Sequence, residues 1–157
     1  MIPKRFQNEI TKHLRDETRV GALCWVNENM VDTIHKNIYA LNFTRMYPNI
    51  ILKIYDGFDG WSDSIQSGVE ELRILVGHGD GMTREERIQM NSFFAGLCNP
   101  YNEYNRGDSR GIYLGNSVIR YGSLIGREIV SMYVDNIVYI DTSTIYFRNL
   151  NEFPIKD

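Results

Sequence analysis

Three features of the sequence predict an α+β fold. Residues 37–43 alternate apolar side chains without a Gly or Pro, which is the period of a half-buried strand. Residues 137–140 and 144–147 are two β-rich runs separated by a tight turn, the pattern of a hairpin. Between them, Trp61, Ile65, Val69, Leu72 and Val76 recur at helical spacing, so residues 61–76 form the clearest amphipathic helix of the chain.

The other elements follow in order. Residues 3–18 set Phe6, Ile10 and Leu14 four apart among charged positions, as in a surface helix with one buried stripe. Its charges, with Lys4, Arg5, Lys12, Arg15 and Arg19 among them, read as a solvated face rather than a nucleic-acid patch. Residues 20–26 are a short apolar run bounded by Gly21 and Asn27, hence a strand. After the strand at 37–43, Pro48 suits the first turn of a helix through Ile50, Ile51 and Ile54, since its missing N–H has no intrahelical partner there. Gly57 and Gly60 close that unit.

Gly77 stops the helix over 61–76, and the stretch Gly77-His78-Gly79-Asp80-Gly81 follows it. This stretch lacks the Lys-Ser/Thr of a phosphate loop and follows a helix where a strand is required, so it is a connector and His78 an exposed loop residue. Thr83 and Glu86 make a capping box, and Met90, Phe93, Phe94 and Leu97 give the next helix its apolar face. Residues 99–111 are a polar loop leading to a short strand at 112–114. Asn116 or Ser117 then caps a helix to about Tyr133, with Val118, Ile125, Ile129 and Met132 inward. Gly122 and Gly126, four apart, would let this helix approach a sheet closely.

At 157 residues the chain suits one compact domain. Its 17 Lys+Arg against 20 Asp+Glu give a formal charge of −3, so there is no global attraction to a polyanion and nucleic-acid binding would need a local basic patch. Cys24 and Cys98 lie in apolar surroundings without zinc-site spacing and read as buried thiols. No apolar run approaches bilayer-spanning length, and Lys4 and Arg5 have no apolar segment behind them. The expectation is a soluble protein of the cytoplasm, without a membrane partner.

Three blocks carry a resemblance. The first is Asn42-Phe43-Thr44-Arg45-Met46-Tyr47-Pro48-Asn49-Ile50-Ile51; the second is Arg87-Ile88-Gln89-Met90-Asn91-Ser92-Phe93-Phe94-Ala95; the third is Tyr139-Ile140-Asp141-Thr142-Ser143-Thr144. In order and in local context they resemble the palm and fingers motifs of B-family DNA polymerases, over residues 35–148. The first block of that family runs Asp, two variable residues, Ser-Leu-Tyr-Pro-Ser. Here its Tyr-Pro corner stands and its leading Asp is Asn42. The second has Lys, three residues, then Asn-Ser-x-Tyr-Gly; here the cation is Arg87, and Phe94-Ala95 replaces Tyr-Gly. The third, normally Tyr-x-Asp-Thr-Asp-Ser, keeps Asp141 and has Ser143 at its second acid.

The resemblance implies an antiparallel palm-type sheet covered on one face by helices, with residues 54–98 as a reduced fingers-like insertion in a single domain of 1–157. It also implies a lesion. A two-metal phosphoryl-transfer site holds its ions about 3.5–4 Å apart and needs anionic oxygens to offset their repulsion. The family assigns that task to the positions occupied here by Asn42 and Ser143, so no catalytic residue is expected. Asp141 could hold at most one weak Mg²⁺ as cofactor, or serve simply as a turn acceptor.

By the same resemblance Tyr47 packs beneath an incoming sugar. Arg87 and Asn91, one helical turn apart, face the triphosphate with Arg84 nearby. The alternative leaves Arg84 and Arg87 as solvated partners of Glu85 and Glu86. The leading functional expectation is a catalytically inactive palm module of viral or phage origin that binds another protein, such as a replication, transcription or host factor. Trp61, Tyr101, Tyr104 and Tyr113 suit either such an interface or local packing. Two further expectations are one subunit of a split polymerase, and a nucleotide or single-stranded nucleic-acid binder. Without a thumb, DNA binding by this chain alone would be weak.

Overall fold

The computed structural model describes residues 23–107 and 109–148, so the helix predicted over 3–18 and the start of the strand predicted over 20–26 lie outside the described residues. The described chain forms two compact units. Of the described residues, 45–121 make a helical unit, and 23–44 together with 122–148 make a sheet unit. The α+β expectation holds, with four α-helices and a four-stranded antiparallel sheet among the described residues. Among the described residues no helix is long and apolar enough to cross a membrane.

In the sheet unit the strands are β1 (Cys24–Val26), β2 (Ile38–Asn42), β3 (Ile137–Asp141) and β4 (Thr144–Arg148). Their spatial order is β1-β3-β4-β2. β3 and β4 form the expected hairpin, with Ile140 opposite Ile145 and Asp141 opposite Thr144. Trp25 sits opposite Ile140 and Leu41 opposite Ile145. Because paired residues share a face of the pleat, Trp25, Ile140, Ile145 and Leu41 form one row across the sheet. That face is the core of the unit. Ile137, Ile140, Ile145 and Phe147 are at most 1% exposed, and each such burial contributes about 1.5–3 kcal/mol relative to exposure.

The helix that covers this face is the second half of α4 (Arg110–Tyr133), through Ile125, Ile129, Val130 and Tyr133. A Cβ on Gly126 would lie 2.6 Å from Leu23 Cδ2, so the close approach anticipated for this glycine is realised just before β1. Met132, expected inward, is 59% exposed; Ile129 and Tyr133 occupy the inward turn instead. Asn27 is buried, and its side-chain amide donates to the carbonyls of Val134 (3.1 Å) and Ile137 (3.0 Å). This satisfies a polar group that would otherwise destabilise the fold and ties the end of β1 to the turn leading into β3.

The helical unit contains α1 (Met46–Asp56), α2 (Asp63–Gly77), α3 (Arg84–Cys98) and the first half of α4. Pro48 occupies the first turn of α1, and Arg45 precedes it in the left-handed region at φ 52°. Trp61 closes the other end: its Nε1 donates to the Tyr55 and Phe58 carbonyls at 3.1 and 2.9 Å. Ser62 caps α2 through its hydroxyl. The capping box at α3 is complete, with Thr83 Oγ1 accepting from Glu86 N–H and Glu86 accepting from Thr83 N–H at 2.7 Å.

Two local expectations are corrected. Residues 112–114 are not a strand, and neither Asn116 nor Ser117 starts the next helix; both stretches lie inside α4, which begins at Arg110. The cap comes from outside the helix. Asn105 Oδ1 accepts the Ile112 N–H at 2.6 Å, and the missing side chain of Gly111 makes room for it. Leu114 and Val118, one turn apart, are then both buried at 1% exposure or less. Cys24, expected buried, is exposed on its edge strand, while Cys98 is half-buried.

Candidate functional site

The sheet register fixes the surroundings of Asn42 and Ser143. Cys24 pairs with Asp141, Asp141 with Thr144, and Thr144 with Asn42, so these four residues form a row on the face opposite the core. Asn42 and Asp141 are both exposed and stand two strands apart, roughly 10 Å at the usual interstrand spacing. Ser143 lies in the turn just beyond. Its carbonyl accepts from Phe43 N–H at 2.8 Å, while Thr142 N–H donates to the Leu23 carbonyl at 2.9 Å. Thr142 itself takes φ 53°, and the ends of β1 and β2 therefore both pin the hairpin turn.

Asp141 is the one carboxylate of that row. Its Oδ1 accepts from the Thr142 hydroxyl at 3.3 Å and lies 3.7 Å from the Cys24 thiol, the donor. Asp141 thus accepts from a turn side chain and from an exposed thiol on the adjoining strand. The Asp141 carboxylate also pushes the Tyr139 phenol above its ordinary range, because ionising that phenol would set two negative charges on one face. Tyr139 in turn stacks on Tyr146 across the hairpin, with centroids 5.8 Å apart. Among the described residues, no group of three or more His, Cys, Asp and Glu is arranged to hold a metal ion.

The remaining candidates belong to the helical unit. Arg84, Arg87, Asn91 and Phe94 follow one another on α3 at intervals of three, four and three, which aligns them along one face. Tyr47 of α1 meets the end of this stripe, its ring 4.9 Å from that of Phe94. Arg84, Arg87 and Asn91 are exposed. Among the described residues, neither Arg84 nor Arg87 pairs with Glu85 or Glu86. Glu86 is occupied otherwise, by the Thr83 N–H and by His78 Nδ1 at 2.8 Å. The Thr83 hydrogen bond, and then His78, hold its carboxyl below the ordinary glutamate range.

Sequence reasoning missed three of these contacts. His78 bridges the end of α2 to the start of α3 instead of standing free. Arg45 donates to the Val76 carbonyl and pairs with Asp80 at 3.1 Å. Cys24 reaches Asp141. The first had a readable signal, a histidine and an acid eight residues apart across one connector; the second depends on helix packing across 35 residues and the third on strand pairing. Of the four aromatics singled out, Tyr101 (92%) and Tyr113 (39%) are exposed, and Trp61 and Tyr104 are half-buried in local packing.

No protein-family model, curated protein or solved structure matches this chain.

Proposed function

We propose that the chain is a catalytically inactive relative of the B-family DNA polymerase palm, kept as a binding or accessory module for another protein. The observation that carries this reading is the row Cys24, Asp141, Thr144, Asn42. The first and third blocks of the resemblance end side by side on one sheet, at the level where paired acids would be wanted, and the row offers a single carboxylate. Two divalent cations a few ångströms apart repel strongly, and neutral amide and hydroxyl oxygens do not offset that repulsion. Asp141, already engaged by Thr142 and Cys24, would bind at most one Mg²⁺ weakly. The palm-type assignment draws further support from β2 lying beside the hairpin strand β4, and from contact between Tyr47 of the first block and Phe94 of the second.

Primer extension with Mg²⁺ or Mn²⁺ tests the reading. The native chain is expected to extend nothing, and Asn42→Asp with Ser143→Asp restores the two charges so that any competence left in the scaffold can emerge. Extension by the native chain would end it. A protein partner would come from replication, transcription or the host cell, and capture from expressing cells identifies it.

A second reading, nucleotide or single-stranded nucleic-acid binding, is favoured by one observation: Arg84 and Arg87 are exposed and, among the described residues, unpaired along a stripe shared with Asn91 and ending at Tyr47. Guanidinium groups so displayed suit phosphate oxygens. A nucleoside triphosphate present at a hundredfold its dissociation constant would stabilise the fold by about 2.7 kcal/mol; an unchanged melting point removes this reading.

A further inference from the structure

Apart from the Arg84, Arg87 and Asn91 stripe, and lined in part by Gln89, Met90, Ser92 and Phe93 of the second block, a cleft of about 180 Å³ lies between α2, α3 and the turn at residues 103–105. Two glycines let its aromatic rings seat against the helices. A Cβ on Gly68 would collide with the Phe93 ring, and one on Gly96 would stand 2.8 Å from Tyr104 Cε2. So seated, Phe93 and Tyr104 meet edge to face, centroids 5.1 Å apart and planes at 88°. They form two aromatic walls at a right angle, and Leu72, Leu75 and Met90 complete an apolar floor. Pockets for drug-sized ligands run to roughly 300–1,000 Å³, whereas a void of about 150 Å³ admits benzene. The cleft therefore has room for a single side chain or a ligand of that size.

Its charge selects the ligand. Glu71 stands at the rim, where Gln89 Nε2 donates to Glu71 Oε2 at 3.2 Å. Glu103 lies on the adjoining turn, and among the described residues none that lines the cleft is basic. Burial raises the Tyr104 phenol above its ordinary range, and the carboxylates of Glu103 and Glu71 add to the rise, so the local potential is negative. Aromatic faces attract a cation through their quadrupoles, a rim carboxylate completes its neutralisation, and an apolar floor receives methylenes. We infer that this cleft binds an alkylammonium group, the side chain of a lysine presented by a protein partner. The inference rests on the cleft and not on polymerase ancestry; it gives the binding role a partner chemistry.

Methyl-resolved NMR of the full chain tests it, with three probes: Nα-acetyl-lysine methylamide, its Nζ-trimethyl form and its neutral Nζ-acetyl form. The two cationic probes should shift the Leu72, Leu75 and Met90 methyl signals, and the neutral one should not. Glu71 is exposed, so Glu71→Gln keeps the fold and should weaken cation binding about two- to fivefold, the worth of a solvent-accessible ion pair. An equal response to the neutral probe, no response to any probe, or undiminished binding by the Glu71→Gln chain would overturn the proposal. Primer extension by the native chain would sink the ancestry reading and leave this result standing.

Discussion

At the scale of single residues, two side chains divide the chemistry between them. Glu86 closes the α3 cap and meets His78, and its carboxyl lies below the ordinary glutamate range. The unfolded chain therefore binds more protons than the folded one in acid, so stability rises with pH across that interval. The Glu86 contribution is complete above the ordinary glutamate value, about 4.3, and is lost as pH falls through its lower folded value. Glu86→Gln should flatten that part of the pH dependence of the urea midpoint. Thr83→Ala removes the reciprocal hydroxyl contact and should cost about 1 kcal/mol in denaturant unfolding. In the sheet unit, Asp141 sets the phenol of Tyr139. Asp141→Asn removes the repelling charge, so the ultraviolet titration of Tyr139 should move to lower pH; an unmoved midpoint would mean the two groups are not neighbours.

At the scale of elements, the sheet unit depends on one apolar face and on the close approach of α4 to the chain before β1. Phe147 is fully buried against Ile129, Tyr133 and the strands, so Phe147→Ala should destabilise by about 3–5 kcal/mol in chemical denaturation. Gly126→Ala pushes a methyl toward Leu23, and overpacking of this kind costs about 1–3 kcal/mol unless Leu23 changes rotamer. These same elements show what periodicity could reveal. The hairpin, α2 and α3 were legible from their own repeats and stops: the tight turn after Asp141, Gly77 at the end of α2, and the Thr83 capping box for α3; the start of α2 was placed at Trp61, two residues early, because the Ser62 cap was not read. The triplet at 112–114 was misread because three apolar residues fit either period, and the cap that settles it, Asn105, lies outside the helix. Cys24 was misassigned for a related reason. A three-residue strand does not reveal which face a side chain takes until its partner is known, and that partner is Asp141, 117 positions away.

For the whole molecule, the candidate site was legible as chemistry before it was legible as geometry. The resemblance puts Asn42 and Ser143 at positions where that family has acids, an expectation that needs only the sequence. That Asn42, Thr144, Asp141 and Cys24 form one row could not be read there, because it follows from the order β1-β3-β4-β2. Arg84, Arg87 and Asn91 share one face of α3, as their spacing requires, while His78 in the role of Glu86's partner escaped notice. The proposed function depends on the missing anions. Manganese binding to the native chain, followed by electron paramagnetic resonance, tests this most directly. The account predicts no more than one weak Mn²⁺, abolished by Asp141→Asn, and two tightly bound, spin-coupled ions at the end of the hairpin would contradict it.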